Sequence, residues 1–336
     1  MIVDEINTLI IGLGKIGCGY DYLDSFEFNK PESSKNIITH ARAVSVHPNF
    51  NLVGAIDYNL KSCEKFHSTY KKPTFKNIDE FIKKISCRID MVIFAVIPQN
   101  QPALIEEVIK KISTKILLIE KPLATSLDEV HRIKKICSLN PNLIICVNYI
   151  RRYLPLVNKW RELILSGKIG RFIYGNITYG KGLLTNGSHF INLAQYWLGD
   201  LENYKTLKNE LNYDEFDTET SFVLKLKNCN SILNINSIGG HNLRAGEIDL
   251  WFEGGRICWL NNGNSLNFWS RESPTNNLEK YDSLSKDPEV HFTEINKSQY
   301  YVLESIYKHF HENKKNTLPC PLDDSVKTME LIFKAL

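Results

Sequence analysis

The sequence predicts an α/β chain in two parts. A doubly wound parallel sheet is expected over residues 1–148. An α+β domain with a large, mostly antiparallel, open sheet is expected over 149–336, with the two closing helices included in it. Three observations predict this. Short, wholly apolar runs alternate with helical segments in the first part, the pattern of strands covered on both faces. The first of those runs enters a glycine-rich turn. In the second part the runs alternate apolar with polar, as strands with one solvated face do.

The first strand is expected at residues 8–12 and runs as Leu9-Ile10-Ile11 into Gly12-Leu13-Gly14-Lys15-Ile16-Gly17. In a G-x-G-x-x-G turn the first glycine allows the sharp bend. The second lets backbone approach a pyrophosphate, and the third lets the next helix pack close to the strand. A second run, Leu52-Val53-Gly54-Ala55-Ile56, ends in Asp57, a carboxylate suited to the adenosine ribose hydroxyls of NAD. Asp57 follows Gly17 at more than the usual spacing of roughly 20 residues, which requires an insertion. The segment from Cys18 to about Lys35, rich in Tyr, Asp, Glu, Asn and Ser and broken by Pro31, reads as that insertion, a surface loop beside the turn. Glycines that only make a turn are the plain alternative, and the Asp57 partner tips the reading to a dinucleotide site.

Further runs at 90–96, 115–119 and 143–147 continue the sheet, with helical spacing at 101–112 and 126–138. Ser126 and Glu129 form a capping-box pattern at the start of the second helix. Beyond about residue 150, a helix is expected at 156–166, a strand at 171–179 and a helix at 188–198. Strands follow at 222–226, 232–236 and 247–252, and Glu253-Gly254-Gly255-Arg256 reads as a hairpin turn into 257–260. The polar stretch 271–292 is expected to be a loop, and helices at about 297–312 and 322–335 close the chain.

Hydrophobic residues at 43% and charged residues at 24% are those of an ordinary globular chain, and a net charge of +3 gives no reason to invoke nucleic acid or a membrane surface. The eight cysteines are scattered, without a C-x-x-C pair or a cysteine–histidine cluster at zinc spacing. That argues for a reducing compartment and against a structural metal. The start, Met1-Ile2-Val3-Asp4-Glu5, lacks the basic flank and apolar core of a signal peptide. No apolar stretch approaches ~20 residues, and the cytoplasm is the expected location.

Glu120-Lys121-Pro122 directly follows the strand at 115–119. Ligands of open parallel sheets bind beyond the carboxyl ends of the strands, so Lys121 is a candidate proton donor or acceptor, against the alternative of a solvated charge. Tyr149 lies just past a strand end, where an aromatic can flank a sugar or a cofactor. Arg151 and Arg152 suit a carboxylate or phosphate, or equally an ion pair within the protein. Tyr179 and Lys181 are substrate neighbours or sheet-edge residues. Asp57 favours NAD because a carboxylate repels a 2′-phosphate, while Lys61 leaves room for NADP.

Gly12–Gly17, Glu120-Lys121-Pro122, Tyr149-Ile150-Arg151-Arg152-Tyr153-Leu154-Pro155 and Leu163-Ile164-Leu165-Ser166-Gly167-Lys168-Ile169-Gly170 together resemble the Gfo/Idh/MocA family, over nearly the whole chain. Its members are NAD(P)-dependent sugar and cyclitol oxidoreductases. The resemblance implies a Rossmann domain in the first part and a homodimer or homotetramer formed through the open sheet. It implies that Lys121 touches both substrate hydroxyl and nicotinamide ribose. It also implies a histidine opening a helix of the second domain, which Asn186-Gly187-Ser188-His189 fits. His189 would move the hydroxyl proton while hydride leaves the same carbon.

The cofactor contacts expected on this basis are Gly12, Gly14, Lys15, Ile16, Gly17, Asp57, Val96, Pro98, Glu120 and Lys121. The substrate contacts are Lys121, Tyr149, Arg152, Thr185, Asn186 and His189, with no metal. Three departures stand out. Thr185 replaces an aspartate common four residues before the histidine, and Asn192 replaces one three residues after it. The family's usual histidine is missing from Pro98-Gln99-Asn100-Gln101-Pro102. Gly19-Tyr20-Asp21 and Thr39-His40-Ala41 are similar to members in bacterial surface-sugar pathways.

The implied activity is NAD-dependent hydride transfer on a secondary alcohol or ketone of a sugar, cyclitol or nucleotide-linked sugar. The missing carboxylates near His189 motivate the alternative, a non-catalytic NAD- or sugar-responsive regulator. Internal oxidation and re-reduction on tightly held NAD is a third reading.

Overall fold

A computed structural model of the chain describes residues 5–22, 36–212, 216–239, 243, 245–274, 280–312 and 318–336. Of the insertion expected from Cys18 to about Lys35, residues 23–35 lie outside these, as do the first four residues and 275–279 of the expected loop at 271–292. The chain divides into two compact units, Met1–Tyr153 with Asn296–Val326, and Leu154–Ile295 with Lys327–Leu336.

The first unit begins with β1 (Ile6–Ile11), α1 (His40–Val46), β2 (Phe50–Ile56), α2 (Leu60–Tyr70), β3 (Thr74–Phe75) and α3 (Ile78–Lys84). It continues through β4 (Met91–Phe94), α4 (Gln101–Lys111), β5 (Ile116–Ile119), α5 (Leu127–Ser138) and β6 (Ile144–Val147). The strands form one parallel sheet in the order β3-β2-β1-β4-β5-β6. All four residues of β4 and of β5 are buried, as strands sandwiched between helices must be. Each such aliphatic side chain contributes about 2 kcal/mol relative to exposure.

The helix starts are set by local chemistry. Asn59 and Asn77 cap α2 and α3 by accepting from Ser62 N and Glu80 N, and Ser126 caps α5 by accepting from Glu129 N. Glu129 reaches back to Thr125 N at 3.4 Å, one residue before the cap. The order of this sheet reverses between β1 and β4, which places a crevice at their carboxyl ends.

The second unit carries α6 (Pro155–Leu165), β7 (Phe172–Tyr179), α7 (Ser188–Leu198), β8 (Leu201–Asn212), β9 (Thr218–Leu226) and β10 (Ile232–Ser237). It then carries β11 (Gly246–Phe252), β12 (Gly255–Leu260), β13 (Ser265–Glu272), β14 (Ser283–Leu284) and β15 (Glu289–Phe292). These form a nine-stranded sheet, β14-β13-β12-β11-β7-β10-β9-β8, with β15 also paired to β13. Among the described residues of this sheet only β7 and β10 pair in parallel. Residues alternate along it: Ile177, Tyr179, Leu233, Ile235, Ile248 and Leu250 are buried, and Thr178, Asn234 and Asp249 between them are half-buried. Trp197 of α7 packs edge-on against Trp259 on the buried face. The stretch expected as a loop at 271–292 instead holds the end of β13, β14 and β15. Its polar composition hid an edge hairpin whose side chains stay largely exposed.

The last two helices are α8 (Ser298–Glu312) and α9 (Leu322–Ala335). The sequence groups both with residues 149–336, and the division between the units falls within α9, after Val326. α8 lies in the first unit, where His47 at the end of α1 bonds Glu304 at 3.1 Å and stacks on Tyr300 at 4.8 Å. Ile37 N also donates to Asn296 O at 2.7 Å. Among the described residues no helix is long and apolar enough to cross a membrane.

Candidate functional site

Across the first sheet, Ile56, Ile11, Phe94, Ile119 and Val147 are paired in one row. The next residue of each strand is therefore level with its neighbours: Asp57, Gly12, Ala95, Glu120 and Asn148. Backbone bonds continue the ladder, with Gly12 N on Ile56 O, Ala95 N on Ile11 O, Glu120 N on Phe94 O and Asn148 N on Ile119 O, all within 3.1 Å. The sequence candidates that follow apolar runs thus emerge at one edge.

The glycine turn is closed on its protein side and open at its tip. Gly12 has φ +100°, and a Cβ there would lie 2.4 Å from Ala95 O and 2.9 Å from the Val96 side chain. A Cβ on Gly17 would lie 2.2 Å from Gly12 O. At Gly14 a Cβ would meet nothing within 4 Å, so this backbone is open to a ligand, as a pyrophosphate requires. Asp57 braces the same turn, accepting from Leu13 N at 2.6 Å and from Asn59 N at 2.8 Å. Each carboxylate oxygen retains a lone pair for a hydroxyl. Lys15 is exposed, and Ile16, Val96 and Pro98 are half-buried.

The long interval before Asp57 has a direct structural cause. Cys18 N and Gly19 N both bond Gly14 O, starting a helical turn that the insertion interrupts. His40 N then bonds Ile16 O at 3.0 Å and Ala41 N bonds Gly17 O at 2.9 Å, so α1 resumes the turn where it stopped. Discounting the excursion restores the spacing of roughly 20 residues. Asp21 pins its base, accepting from Thr39 Oγ1 at 2.6 Å and Tyr70 OH at 2.5 Å. Burial raises the Asp21 carboxyl above its usual range and pushes the neighbouring Cys18 thiol up to about 12.

Lys121 is half-buried at the end of β5. Glu120, expected on the cofactor, turns inward instead. It is 7% exposed, and its Oε1 bonds His40 Nε2 at 2.8 Å and Asn148 Nδ2 at 2.5 Å. Arg152 takes the ion-pair reading: it is buried and meets Asp324 at 2.5 Å. Tyr149, expected beside a sugar, is 1% exposed and leaves no ring face open.

In the second unit His189 is the second residue of α7 and half-buried. A single π-turn, Leu183–Gly187, leads into it. Before that turn, Lys181 and Gly182 have φ +71° and +82°. Two buried carboxylates hold this stretch. Glu219 Oε1 accepts from Lys181 N at 2.6 Å and Gly182 N at 3.0 Å. Asp217 accepts from Leu184 N at 2.8 Å and Thr185 N at 2.7 Å.

Other candidates of this unit are committed to main chain or core. Asn186 donates to Gly180 O and Ala245 O, both at 2.7 Å, which fixes the turn. Tyr179 OH donates to Thr220 O and accepts from Thr220 N, so it is a sheet residue. Asn192 is buried and donates to Thr328 Oγ1 at 2.9 Å.

Sequence reasoning missed Asp217, Glu219, Asn148 and Gln101, and took His40 only as part of a similarity. Asn148 follows the β6 run just as Glu120 follows β5, and that signal was available. Asp217 and Glu219 carried only an acidic alternation at the start of a strand.

Residues 6–149 match the model of an oxidoreductase family with an NAD-binding Rossmann fold. Glucose-6-phosphate 3-dehydrogenase of Bacillus subtilis is 28% identical over 169 residues, 50% of this chain and 44% of that protein, so the chain spans under half the length of this relative in the match. Among solved structures, the WlbA dehydrogenase of Bordetella pertussis, in complex with NADH and UDP-GlcNAcA, aligns with TM-score 0.74 and 14% identity, covering 100% of this chain and 96% of that one. KijD10, a 3-ketoreductase of Actinomadura kijaniata in complex with NADP, aligns with TM-score 0.70 and 13% identity, covering 98% and 96%. At these identities the two structures establish the shared fold.

Proposed function

We propose that the chain is an oxidoreductase of the Gfo/Idh/MocA family, whose model matches residues 6–149, and that it transfers hydride between a nicotinamide cofactor and a secondary alcohol or ketone of a sugar, cyclitol or nucleotide-linked sugar. The observation that carries this reading is the level edge of the first sheet. The open glycine turn, the Asp57 carboxylate and, one residue past the level row, Lys121 all leave strands of this sheet at the same edge. Gly14 leaves backbone room for a pyrophosphate, and Asp57 offers an acceptor to the adenosine ribose.

A bound nicotinamide would accept or supply the hydride with its electron pair. Lys121 and His189 are the acid/base residues: one takes the hydroxyl proton as the C–H bond breaks and C=O forms. The imidazole of a histidine can act as either acid or base in that exchange. Asp217 and Glu219 hold the turn that presents His189.

NAD is favoured over NADP because a 2′-phosphate at Asp57 would face a carboxylate already fixed by two main-chain N–H groups. Neighbouring folds carry either cofactor. A homodimer or homotetramer through the half-exposed sheet face, where Trp251 and Trp269 flank Arg256, and a cytoplasmic setting suited to eight free thiols complete the proposal. Sedimentation at micromolar concentration showing only monomer would remove the oligomer.

The deciding experiment is a fluorescence titration with NADH and NADPH, then a screen of sugars and nucleotide-linked sugars for absorbance change at the nicotinamide band. Tight NADH binding with turnover supports the enzyme. NADH binding without hydride transfer on any substrate selects the non-catalytic responder, and binding of neither cofactor overturns both.

A further inference from the structure

Behind Lys121, buried polar side chains from four places in the fold form one network around Glu120, two of them on its carboxylate. Glu120 Oε1 accepts from His40 Nε2 of α1 at 2.8 Å and from Asn148 Nδ2 after β6 at 2.5 Å. Asn148 Nδ2 also reaches Gln299 Oε1 of α8 at 3.2 Å. Gln101 of α4 donates its one amide nitrogen to Glu120 O at 3.0 Å and to Pro122 O at 3.1 Å, bracketing Lys121 from both sides. Glu120 Oε2 faces the N–H of Lys121 itself at 3.3 Å. His40 and Gln101 are fully buried, and Asn148 and Gln299 are 1% exposed.

This arrangement is costly for packing alone. Removing a carboxylate from water costs several kcal/mol unless hydrogen bonds offset it. His40 Nδ1, Gln101 Oε1, Asn148 Oδ1 and Gln299 Nε2 also find no hydrogen-bond partner among the described residues. The donors therefore satisfy Glu120 and its backbone at the expense of their own second atoms. The hub of the network is the residue covalently joined to Lys121.

His40 is the member with a second anchor. Its main-chain N–H bonds Ile16 O inside the glycine turn, while its ring bonds Glu120. We propose that His40 is a positioning residue for Lys121, acting through Glu120, and that it fixes the lysine relative to the glycine turn. This rests on the reading of Lys121 as an acid/base group. With the His40 donor removed, the Glu120 carboxylate loses half of the support on Oε1. It then turns to the neighbouring ammonium of Lys121, holding that group protonated and out of place.

The test reads Lys121 directly. Competitive acylation of the full chain with acetic anhydride at pH 8 is quantified by mass spectrometry, with Lys110 and Lys134, both well exposed, as internal references. His40→Leu is expected to lower acylation of Lys121 about tenfold, the change one pKa unit gives. His40→Gln, whose amide nitrogen can replace Nε2 as donor, stays within about twofold of the parent. If His40→Leu does not fold by thermal melting, His40→Asn, whose amide is too short to reach, takes its place.

Equal labelling in parent, Leu and Gln variants overturns the proposal, and so does a Gln variant as unreactive as Leu. On a turned-over substrate, kcat falls about 10- to 100-fold in His40→Leu while KM and NADH affinity hold within about threefold, and His40→Gln restores it. A substrate KM raised in step with unchanged kcat overturns it. Labelling decides the positioning whether or not any substrate is found, and a parent without turnover strikes the acid/base reading instead.

Discussion

The edge of the parallel sheet and the turn before α7 hold their functional side chains in opposite ways. At the sheet edge, Asp57, Gly12, Glu120 and Asn148 are level because strand pairing makes them so, and side chains then bond to side chains behind the row. At the turn before His189 no ladder sets the height. Two carboxylates, Asp217 just before β9 and Glu219 within it, take four main-chain N–H groups, at Lys181, Gly182, Leu184 and Thr185. A sheet edge is specified by where apolar runs stop. A turn is specified by acceptors remote in the chain, and a change there should act through the backbone.

The largest effect expected from breaking one side of this contrast is at Lys121. Lys121→Ala should lower turnover by about 10³-fold, in the range of a lost general acid/base, with NADH affinity within about threefold. Equal loss of both in a stopped-flow and titration pair would mean that the edge serves binding only.

The glycine turn comes next, and its two tight and open positions should separate cleanly. Gly12→Ala forces φ +100° on a residue with a Cβ lying 2.4 Å from a carbonyl oxygen, so a loss of about 3 kcal/mol in urea unfolding is expected. Gly14→Ala has free space and should leave the unfolding midpoint nearly unchanged while weakening NADH binding about tenfold. Similar stability losses at both would show that the turn has no open tip.

On the other side of the contrast, Asp217→Ala strands two N–H groups and should cost about 2 kcal/mol. It should also lower turnover with NADH affinity unchanged, because the affected backbone lies in the second unit. NADH affinity falling in parallel would contradict the separation.

The smallest effect is a pH dependence confined to the first unit. Burial lowers His47 from its ordinary pKa near 6.5 despite the bond to Glu304. Above that value both folded and unfolded chains hold the ring neutral. As pH falls through about 6.5 the unfolded chain takes up the proton first, so stability drops until the folded pKa is passed. Urea midpoints at several pH values from 7.5 downward should fall less steeply in His47→Phe than in the parent.

The same contrast explains what was legible in the sequence. The strands, the glycine turn, Asp57 and Lys121 were readable because each sits at the end of an uninterrupted apolar run. α1 was not, because its seven residues begin only after the insertion and depend on backbone bonds to Ile16 and Gly17. Nothing local to Glu120 tells that His40 and Asn148 claim its carboxylate. Arg152 was balanced between substrate and ion pair, and only the approach of Asp324, 172 positions later, decides it. Asp217 and Glu219 act on main chain more than thirty residues away, a relation that leaves no periodic trace.

The resumption of a helical turn across the insertion has a further consequence. Since His40 and Ala41 bond back to Ile16 and Gly17, the excursion leaves and rejoins the fold at nearly one point. Such a segment is a side branch on the main path: lengthening it twofold adds only about 0.6 kcal/mol of closure entropy and re-threads no strand. A change in its length therefore leaves the pairing of the strands beneath the glycine turn as it is.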